Sequence, residues 1–325
     1  MTDYKSMEEL KEFLHDSALV ITGKKIYGLY KDIFPENTLI LPVGENAKTL
    51  TVVKKILEEM HTRGLNVSDT VVAVGGGAIG DTVGFAASIY HRGMPWINVP
   101  TTLLSLCDSS VGGKTSVNFM GCKNVIGSFW NPTKRIVCKK FLNTLSKKQL
   151  ASGLGEIIKT SFLNADFYGY VKNTYKLYEY DKQALFAAAI EASRIKAKIV
   201  AKDFRCESIR NNLNIGHTIG HALEAAYKYE HGIAVCMGIQ IAMEMFKDSI
   251  ERGFLEEARV MCRRLAKIPN FSADKLITFL RADKKNRNGD IVLLLPVRPG
   301  DTIPVNLKEE KFYALLQKLE EELKA

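Results

Sequence analysis

His217-Thr218-Ile219-Gly220-His221 sets two imidazoles four residues apart, on one face of a helix. That is the spacing of a zinc helix, although the general-base glutamate of H-E-x-x-H is absent. His231 follows, so three of the six histidines fall within 15 residues. Upstream, Glu156 opens an E-I-I-K segment that sets Lys159 about one helical turn away. Two or three imidazoles with a carboxylate would hold a catalytic zinc and leave a position open for a substrate oxygen. The plainer alternative is a pair of satisfied core histidines and a surface carboxylate.

A second group is built on glycine. The apolar run Val71–Val74 enters Gly75-Gly76-Gly77-Ala78-Ile79-Gly80-Asp81 and continues as a helical segment. Strand, glycine turn and helix in that order suit a pyrophosphate, because the backbone can approach it and the helix N-terminus offers unpaired N–H groups. As G-x-G-x-x-G the match is formal: no acidic residue follows about 20 positions on to hold a ribose. A tight structural turn is the alternative. Polar residues collect past later strand ends, at Thr101-Thr102 and Asp108-Ser109-Ser110. Gly112-Gly113-Lys114-Thr115 is Walker-like but lacks the preceding glycine, so Lys114 reads as an anion ligand in a glycine-rich loop, joined by Lys123-Asn124 between Gly121 and Gly127. Arg210, Asn211, Asn212 and Asn214 precede the histidines, Lys196 and Lys198 lie one helix earlier, and Lys284-Lys285 lie downstream.

These groups need elements to hold them. Leu19–Thr22, Thr38–Leu41, Val71–Val74, Trp96–Val99 and Arg135–Cys138 read as strands, with a crossover helix over 46–63 carrying Leu50, Val53, Leu57 and Met60. After about residue 150 the chain turns helical, with Ile291–Leu295 as a late strand or an apolar loop and a final helix burying Phe312, Leu316, Leu319 and Leu323. The fold class expected is a Rossmann-like α/β domain over 1–150 followed by an all-helical domain over 151–325. The 325 residues, 46% hydrophobic and 25% charged, are enough for two cores. No apolar run is long enough to span a membrane, and MTDYKSMEELKEFLHD is polar where a signal peptide is apolar. Six dispersed cysteines without a C-x-x-C pair fit a reduced, cytoplasmic protein. The net charge of +9 comes without a nucleic-acid motif or interleaved aromatics, so a small anionic substrate is the better partner.

The chain resembles the 3-dehydroquinate synthases, of the sugar-phosphate cyclase group, over residues 19 to 297. The matching motifs are P-V-G-E-N-A-K at 42–48, G-G-G-A-I-G-D at 75–81, Arg92-Gly93, P-T-T-L-L at 100–104, D-S-S-V-G-G-K-T-S-V-N at 108–118, G-C-K-N-V-I-G at 121–127, G-L-G-E-I-I-K at 153–159, R-N-N-L-N-I-G-H-T-I-G-H at 210–221 and D-K-K at 283–285. The resemblance implies an N-terminal NAD domain, a C-terminal metal domain, an active site between them and a homodimer. It implies Glu156, His217 and His231 as ligands of zinc, with cobalt as the alternative metal, and makes His221 a substrate contact in place of a ligand. NAD contacts fall on Glu45, Lys48, Gly76, Gly77, Asp81, Thr101, Thr102, Lys123, Phe141 and Thr144. Catalytic roles fall on Asp108, Lys159, Lys196 and His221, and substrate contacts on Lys114, Asn124, Arg210, Asn214 and one of Lys284 or Lys285, with Arg92 reaching in from a partner subunit.

The implied reaction converts 3-deoxy-D-arabino-heptulosonate 7-phosphate to 3-dehydroquinate and phosphate. Transient oxidation at C5 acidifies the neighbouring C–H, phosphate is eliminated, the hydride returns, the ring opens and an intramolecular aldol addition closes the carbocycle. Two departures stand out. The usual D-E-R-E-x-G-x-R is Asp203-Phe204-Arg205-Cys206-Glu207-Ser208-Ile209-Arg210, and the usual H-G-E-A-V is His231-Gly232-Ile233-Ala234-Val235, which removes a carboxylate beside the third ligand. The competing readings are another sugar-phosphate cyclase, a metal-dependent polyol dehydrogenase that releases NADH, and a catalytically silent relative.

Overall fold

The computed structural model describes residues 1–206, 208–281 and 290–324. It divides into two units, Met1–Ser146 and Lys147–Ala325.

The first unit runs β1 (Thr2–Tyr4), α1 (Met7–His15), β2 (Leu19–Gly23), α2 (Lys24–Leu29), β3 (Leu39–Leu41), α3 (Leu50–Thr62), β4 (Val71–Gly75), α4 (Gly77–Ile89), β5 (Trp96–Pro100), β6 (Lys114–Phe119), β7 (Cys122–Phe129) and β8 (Lys134–Val137). Six strands form one sheet in the order β1-β8-β5-β4-β2-β3, and its pairs are parallel. Its central strands are buried on both faces, which is why LVITG, VVAVG and WINVP lack polar alternation. The chain leaves β2 toward β3 on one side and returns as β4 on the other. The glycine turn after β4 therefore sits at a topological switch point, beyond a strand's carboxyl end, where open α/β sheets bind ligands.

Local signals explain where the helices begin. Ser6 and Glu9 close a capping box at α1. Thr49 caps α3, after a short 3-10 turn over Gly44–Ala47, so the helix starts later than the expected residue 46. The buried face of α3 is Val52, Val53, Ile56 and Met60, whereas Leu50, in the first turn, is 41% exposed. Two elements had no clear sequence signal: edge strand β1, and the antiparallel β6–β7 hairpin made from the glycine-rich segment. The hairpin lies against α4, where a Cβ on Gly84 would stand 2.5 Å from Thr115 Cγ2 and 2.8 Å from the Trp96 ring.

The second unit comprises α5 (Lys147–Ser161), α6 (Ala165–Asn173), α7 (Lys182–Lys202), α8 (His217–Tyr227), α9 (His231–Met245), α10 (Arg252–Arg263), α11 (Ala273–Arg281), β9 (Asp290–Arg298), β10 (Asp301–Lys308) and α12 (Glu309–Lys324). It is mostly helical, where an all-helical domain was expected: Ile291–Leu295 resolves as part of β9, which pairs with β10 in an antiparallel hairpin packed on α9 and α12. On α12, Phe312, Leu316 and Leu319 are buried and Leu323 is 39% exposed, because it lies in the last turn. Among the described residues no helix is long and apolar enough to cross a membrane.

Candidate active site

In the second unit, Glu156 and Lys159 come from α5, His217 and His221 from α8, and His231 from the first position of α9. Contacts between helix backbones bring them together. A Cβ on Gly155 would lie 1.9 Å from Gly232 O, and one on Gly232 would lie 1.8 Å from Ser152 O. At the α8–α9 contact, a Cβ on Gly220 would lie 2.9 Å from Val235 Cα, and one on Gly238 would lie 2.3 Å from Gly216 O. Gly155 and Gly232 directly adjoin Glu156 and His231, so the glycine contact that joins α5 to α9 also sets the carboxylate beside the imidazole.

The three imidazoles each offer a nitrogen within 4.8 Å of the others. His231 Nε2 is 3.4 Å and His217 Nε2 3.7 Å from Glu156 Oε1. Ligand atoms about 2.0–2.1 Å from one tetrahedral ion stand roughly 3.4 Å apart, so these gaps match a shared cation. Each Nε2 is aimed by a bond at the other ring nitrogen: His217 Nδ1 lies 3.1 Å from Ile215 O, and His231 Nδ1 2.9 Å from Glu224 Oε2. An Nδ1–H given to a carbonyl or carboxylate leaves Nε2 as the free lone pair, the tautomer a metal requires. Glu156 is 1% exposed, and neither of its oxygens takes a well-directed hydrogen bond, although Lys159 Nζ stands 2.7 Å from Oε2. A buried carboxylate so placed fits a cation. His221 stands with the ligand candidates, its ring centroid 5.2 Å from that of His217 and 5.7 Å from that of His231.

Burial alone would raise the Glu156 pKa, but the Lys159 ammonium and the two imidazoles hold it well below the ordinary carboxylate range. Burial pushes His217 well below its usual value, which keeps it neutral. Burial works in the same direction on His231, yet the Glu156 and Glu224 carboxylates, 3.4 and 2.9 Å from its ring nitrogens, overcome it and lift the pKa to about 10. Proton and metal therefore compete for that imidazole.

Glu224 was missed by the sequence reading. The signal was there, since it follows His221 by three residues on the same helix. Its carboxylate, 2.9 Å from His231 Nδ1, orients that imidazole. Glu224→Ala is expected to weaken zinc binding roughly 10–100-fold. Titration against a competing chelator, with helicity checked by circular dichroism, measures this.

Lys159, Lys196 and Arg210 of this unit are buried cations, whereas Lys198 is exposed. Arg210 and Asn214 lie on a 3-10 segment, Ile209–Asn214, and the preceding loop is tied by Asp203 Oδ2, which accepts from Ser208 N at 2.8 Å and Arg210 N at 2.9 Å. Arg210 Nη1 also donates to Phe204 O. Cys206 takes a left-handed conformation (φ 65) with its Sγ 3.4 Å from Asn211 Oδ1. Glu207, Lys284 and Lys285 lie outside the described residues.

The first unit holds the nucleotide-type residues. Gly76 caps α4 without a side-chain bond, which leaves the first-turn amides for a ligand. A Cβ on Gly77 would lie 2.9 Å from Ser109 Oγ and one on Gly76 3.0 Å from Thr102 Cγ2, so side chains are excluded from the turn. Thr101 N donates to Gly75 O at 2.9 Å, while its buried hydroxyl has no partner. A narrow cleft of about 10 Å³ beside the turn is lined by residues including Gly77, Asp81, Asn98, Ser109 and Lys114. Buried Lys48 joins this group through its Nζ, 2.6 Å from Asp81 Oδ2, and also donates to Asn124 Oδ1. Asn118 Nδ2, 2.8 Å from Glu45 Oε2, ties the hairpin to Glu45. A predicted substrate residue, Asn124, thus stands with predicted cofactor residues. Lys114 and Lys123 are exposed. Phe141 and Thr144 meet Tyr30 instead, through an edge-on ring contact of 5.0 Å and a 2.9 Å hydroxyl pair. Asp108 lies on a π-turn, Ser105–Ser109, and Arg92 is exposed at φ 65.

Solved structures with this architecture include synthases and dehydrogenases. A 2-epi-5-epi-valiolone synthase from Streptomyces hygroscopicus subsp. jinggangensis 5008, solved with NAD+ and Zn2+ bound, superposes with a TM-score of 0.86 at 23% identity, covering 99% of this chain and 97% of that one. A 2-deoxy-scyllo-inosose synthase complexed with carbaglucose-6-phosphate, NAD+ and Co2+ gives 0.83 at 21% identity, covering 98% and 96%. The fold is therefore one shared with these two synthases and, at lower similarity, with a sulfoacetaldehyde reductase from Bifidobacterium kashiwanohense in complex with NAD+, which gives a TM-score of 0.66 at 15% identity, covering 98% of this chain and 96% of that one. Sequence carries the assignment further: the family model for the 3-dehydroquinate synthase N-terminal domain matches residues 38–152 and the C-terminal model residues 153–286. The 3-dehydroquinate synthase of Alkaliphilus metalliredigens is 37% identical over 318 residues, covering 93% of this chain and 89% of the relative. That of Dictyoglomus thermophilum is 36% identical over 330 residues, covering 95% and 92%. The chain belongs to the 3-dehydroquinate synthase family, enzymes of the lyase class.

Proposed function

We propose that this chain converts 3-deoxy-D-arabino-heptulosonate 7-phosphate into 3-dehydroquinate and inorganic phosphate, using NAD and a divalent cation, zinc or cobalt. Family membership supports the substrate. The observation that carries the metal-dependent chemistry is the buried Glu156 carboxylate, without a well-directed hydrogen bond and faced by the Nε2 atoms of two imidazoles whose Nδ1 atoms meet Ile215 O and Glu224 Oε2.

In this reading Glu156, His217 and His231 hold the cation, and the amides of the Gly76–Gly77 turn with Lys48, Asp81, Thr101 and Thr102 hold the dinucleotide, joined by Glu45, Lys123, Phe141 and Thr144. When bound, the metal supplies Lewis acidity at a substrate hydroxyl and NAD a reversible hydride acceptor, so the cofactor is restored within each turnover. Lys159 and Lys196, both buried, keep positive charge beside the oxygen that loses its proton. Arg210 pairs with the substrate carboxylate, for which a planar guanidinium is suited. Lys114, Asn214 and His221 hold the phosphate; Asn124 adds its Nδ2 hydrogens, since its Oδ1 is committed to Lys48 and Ser116. Asp108 takes a substrate hydroxyl, and Lys284 or Lys285 completes the anion contacts. The enzyme is proposed to work in the cytoplasm as a homodimer in which exposed Arg92 reaches a partner's substrate.

The test is to mix purified protein, the heptulosonate phosphate, NAD+ and zinc. Phosphate and dehydroquinate should form in equal amounts with no rise in NADH absorbance. No turnover overturns the reading, and NADH accumulating with product points to a polyol dehydrogenase.

A further inference from the structure

Strand β8 carries Ile136 into the core beneath α1, so Arg135 points to the opposite sheet face. There it pairs in register with Asn98 of β5, whose neighbour Trp96 faces α4. An arginine is out of place at such a position. It is only 6% exposed, and a buried guanidinium is costly unless it is hydrogen-bonded; Nε donates no hydrogen bond, so the group is held at its Nη end. Its Nη1 donates to Leu106 O at 3.3 Å and to Ser110 Oγ at 3.2 Å. These two residues flank Asp108 by two positions on either side, and Ser110 N closes the π-turn onto Ser105 O at 3.1 Å. One nitrogen with two hydrogens therefore ties both ends of the turn that presents Asp108. π-Turns interrupt the regular helical ladder and are found frequently at functional sites. This one abuts the glycine turn, with Ser109 Oγ 2.9 Å from where a Cβ on Gly77 would stand.

We propose that Arg135 is a positioning residue: from within the sheet it fixes the Ser105–Ser109 turn and thereby places Asp108 against substrate. The inference rests on the substrate role given to Asp108 above. Arg135 itself touches no reactant, so its removal acts through Asp108.

The experiment compares Arg135→Met, Arg135→Lys, Asp108→Asn and the double variant Arg135→Met/Asp108→Asn in the holoenzyme. Arg135→Met should lower kcat roughly 10–100-fold per mole of folded protein, the scale of a misplaced reacting group. KM and NAD affinity should change less than about threefold, and Arg135→Lys should recover part of the rate. Adding Arg135→Met to Asp108→Asn should cost less than about a further twofold, because both changes remove one interaction. Amide exchange over residues 105–111 should quicken in Arg135→Met, and in Arg135→Lys to a smaller extent; this readout needs no activity. Additive losses, or a normal kcat beside an impaired Asp108→Asn, overturn the positioning role alone. Full activity in Asp108→Asn overturns the substrate role of Asp108 and the proposal with it. Unchanged exchange over 105–111 in both arginine variants overturns the proposal whatever the enzyme's substrate proves to be.

Discussion

Glu156→Gln is expected to empty the metal site and to lower turnover about 10³-fold, the equivalent of about 4 kcal/mol of lost charge stabilisation. Glutamine keeps the shape of the side chain but gives up the anion that two imidazole nitrogens face at 3.4 and 3.7 Å. It also leaves the Lys159 ammonium buried without its counter-charge. Removing one partner of a buried ion pair costs about 3–5 kcal/mol, so the metal-free variant should unfold more readily as well. Zinc content by elemental analysis and steady-state kinetics measure the first effect, and thermal unfolding of the metal-free protein the second. The pH dependence gives a further check. Because the folded Glu156 pKa lies well below its ordinary 4.5, its contribution to stability is present above that value and lost as pH falls through the folded one. Glu156→Gln should flatten this acid limb. His231→Ala should lose zinc in the same way, whereas His221→Ala should keep it and raise KM. Equal loss from both would make His221 a ligand, which its position beside the other two imidazoles permits.

Gly155→Ala should be nearly as damaging, without removing any chemical group. The added methyl would stand 1.9 Å from Gly232 O, backbone against backbone, where no rotamer change gives relief. Overpacking of this kind costs about 3 kcal/mol at the upper end of its usual range, a fall in melting temperature of roughly 6–12 °C for a unit of this size. Separating α5 from α9 also separates Glu156 from His231, and zinc affinity should drop by about 10²-fold or more, the scale of a roughly 1 Å misplacement. Gly169→Ala is the control, since a methyl there meets nothing within 4 Å; it should be neutral or stabilising by up to about 1 kcal/mol. A Gly155→Ala protein with normal melting and normal zinc content would show that the helices need not touch.

The contrast between those two glycines shows where reading the sequence stops. Gly155 and Gly169 both lie inside helices and look alike in one dimension. Only the packed structure puts a carbonyl against the first and open space beside the second. The parallel strands were legible because burial on both faces writes itself as unbroken apolar runs, and the turn after β4 because glycine is demanded where backbones approach. His217 and His221 were legible for a similar reason, as residues four apart share a helix face. Motif resemblance then selected Glu156 and His231 from the candidates and set His221 aside, a choice that no local period makes.

Other features depend on the fold itself. The β6–β7 hairpin escaped notice because its strand β7 is largely exposed and carries no strong apolar alternation. Glu224 reads as an ordinary helix-surface glutamate until α9 arrives with His231. Arg135 reads as a strand residue until the π-turn comes to rest on it. Sequence by itself determined the class of fold, the glycine cradle and the imidazole pair, since local geometry dictates each of these. The aim of each imidazole, the close approach of Glu156 and the brace beneath Asp108 were decided only in the tertiary structure, because each depends on contacts between segments far apart in the chain.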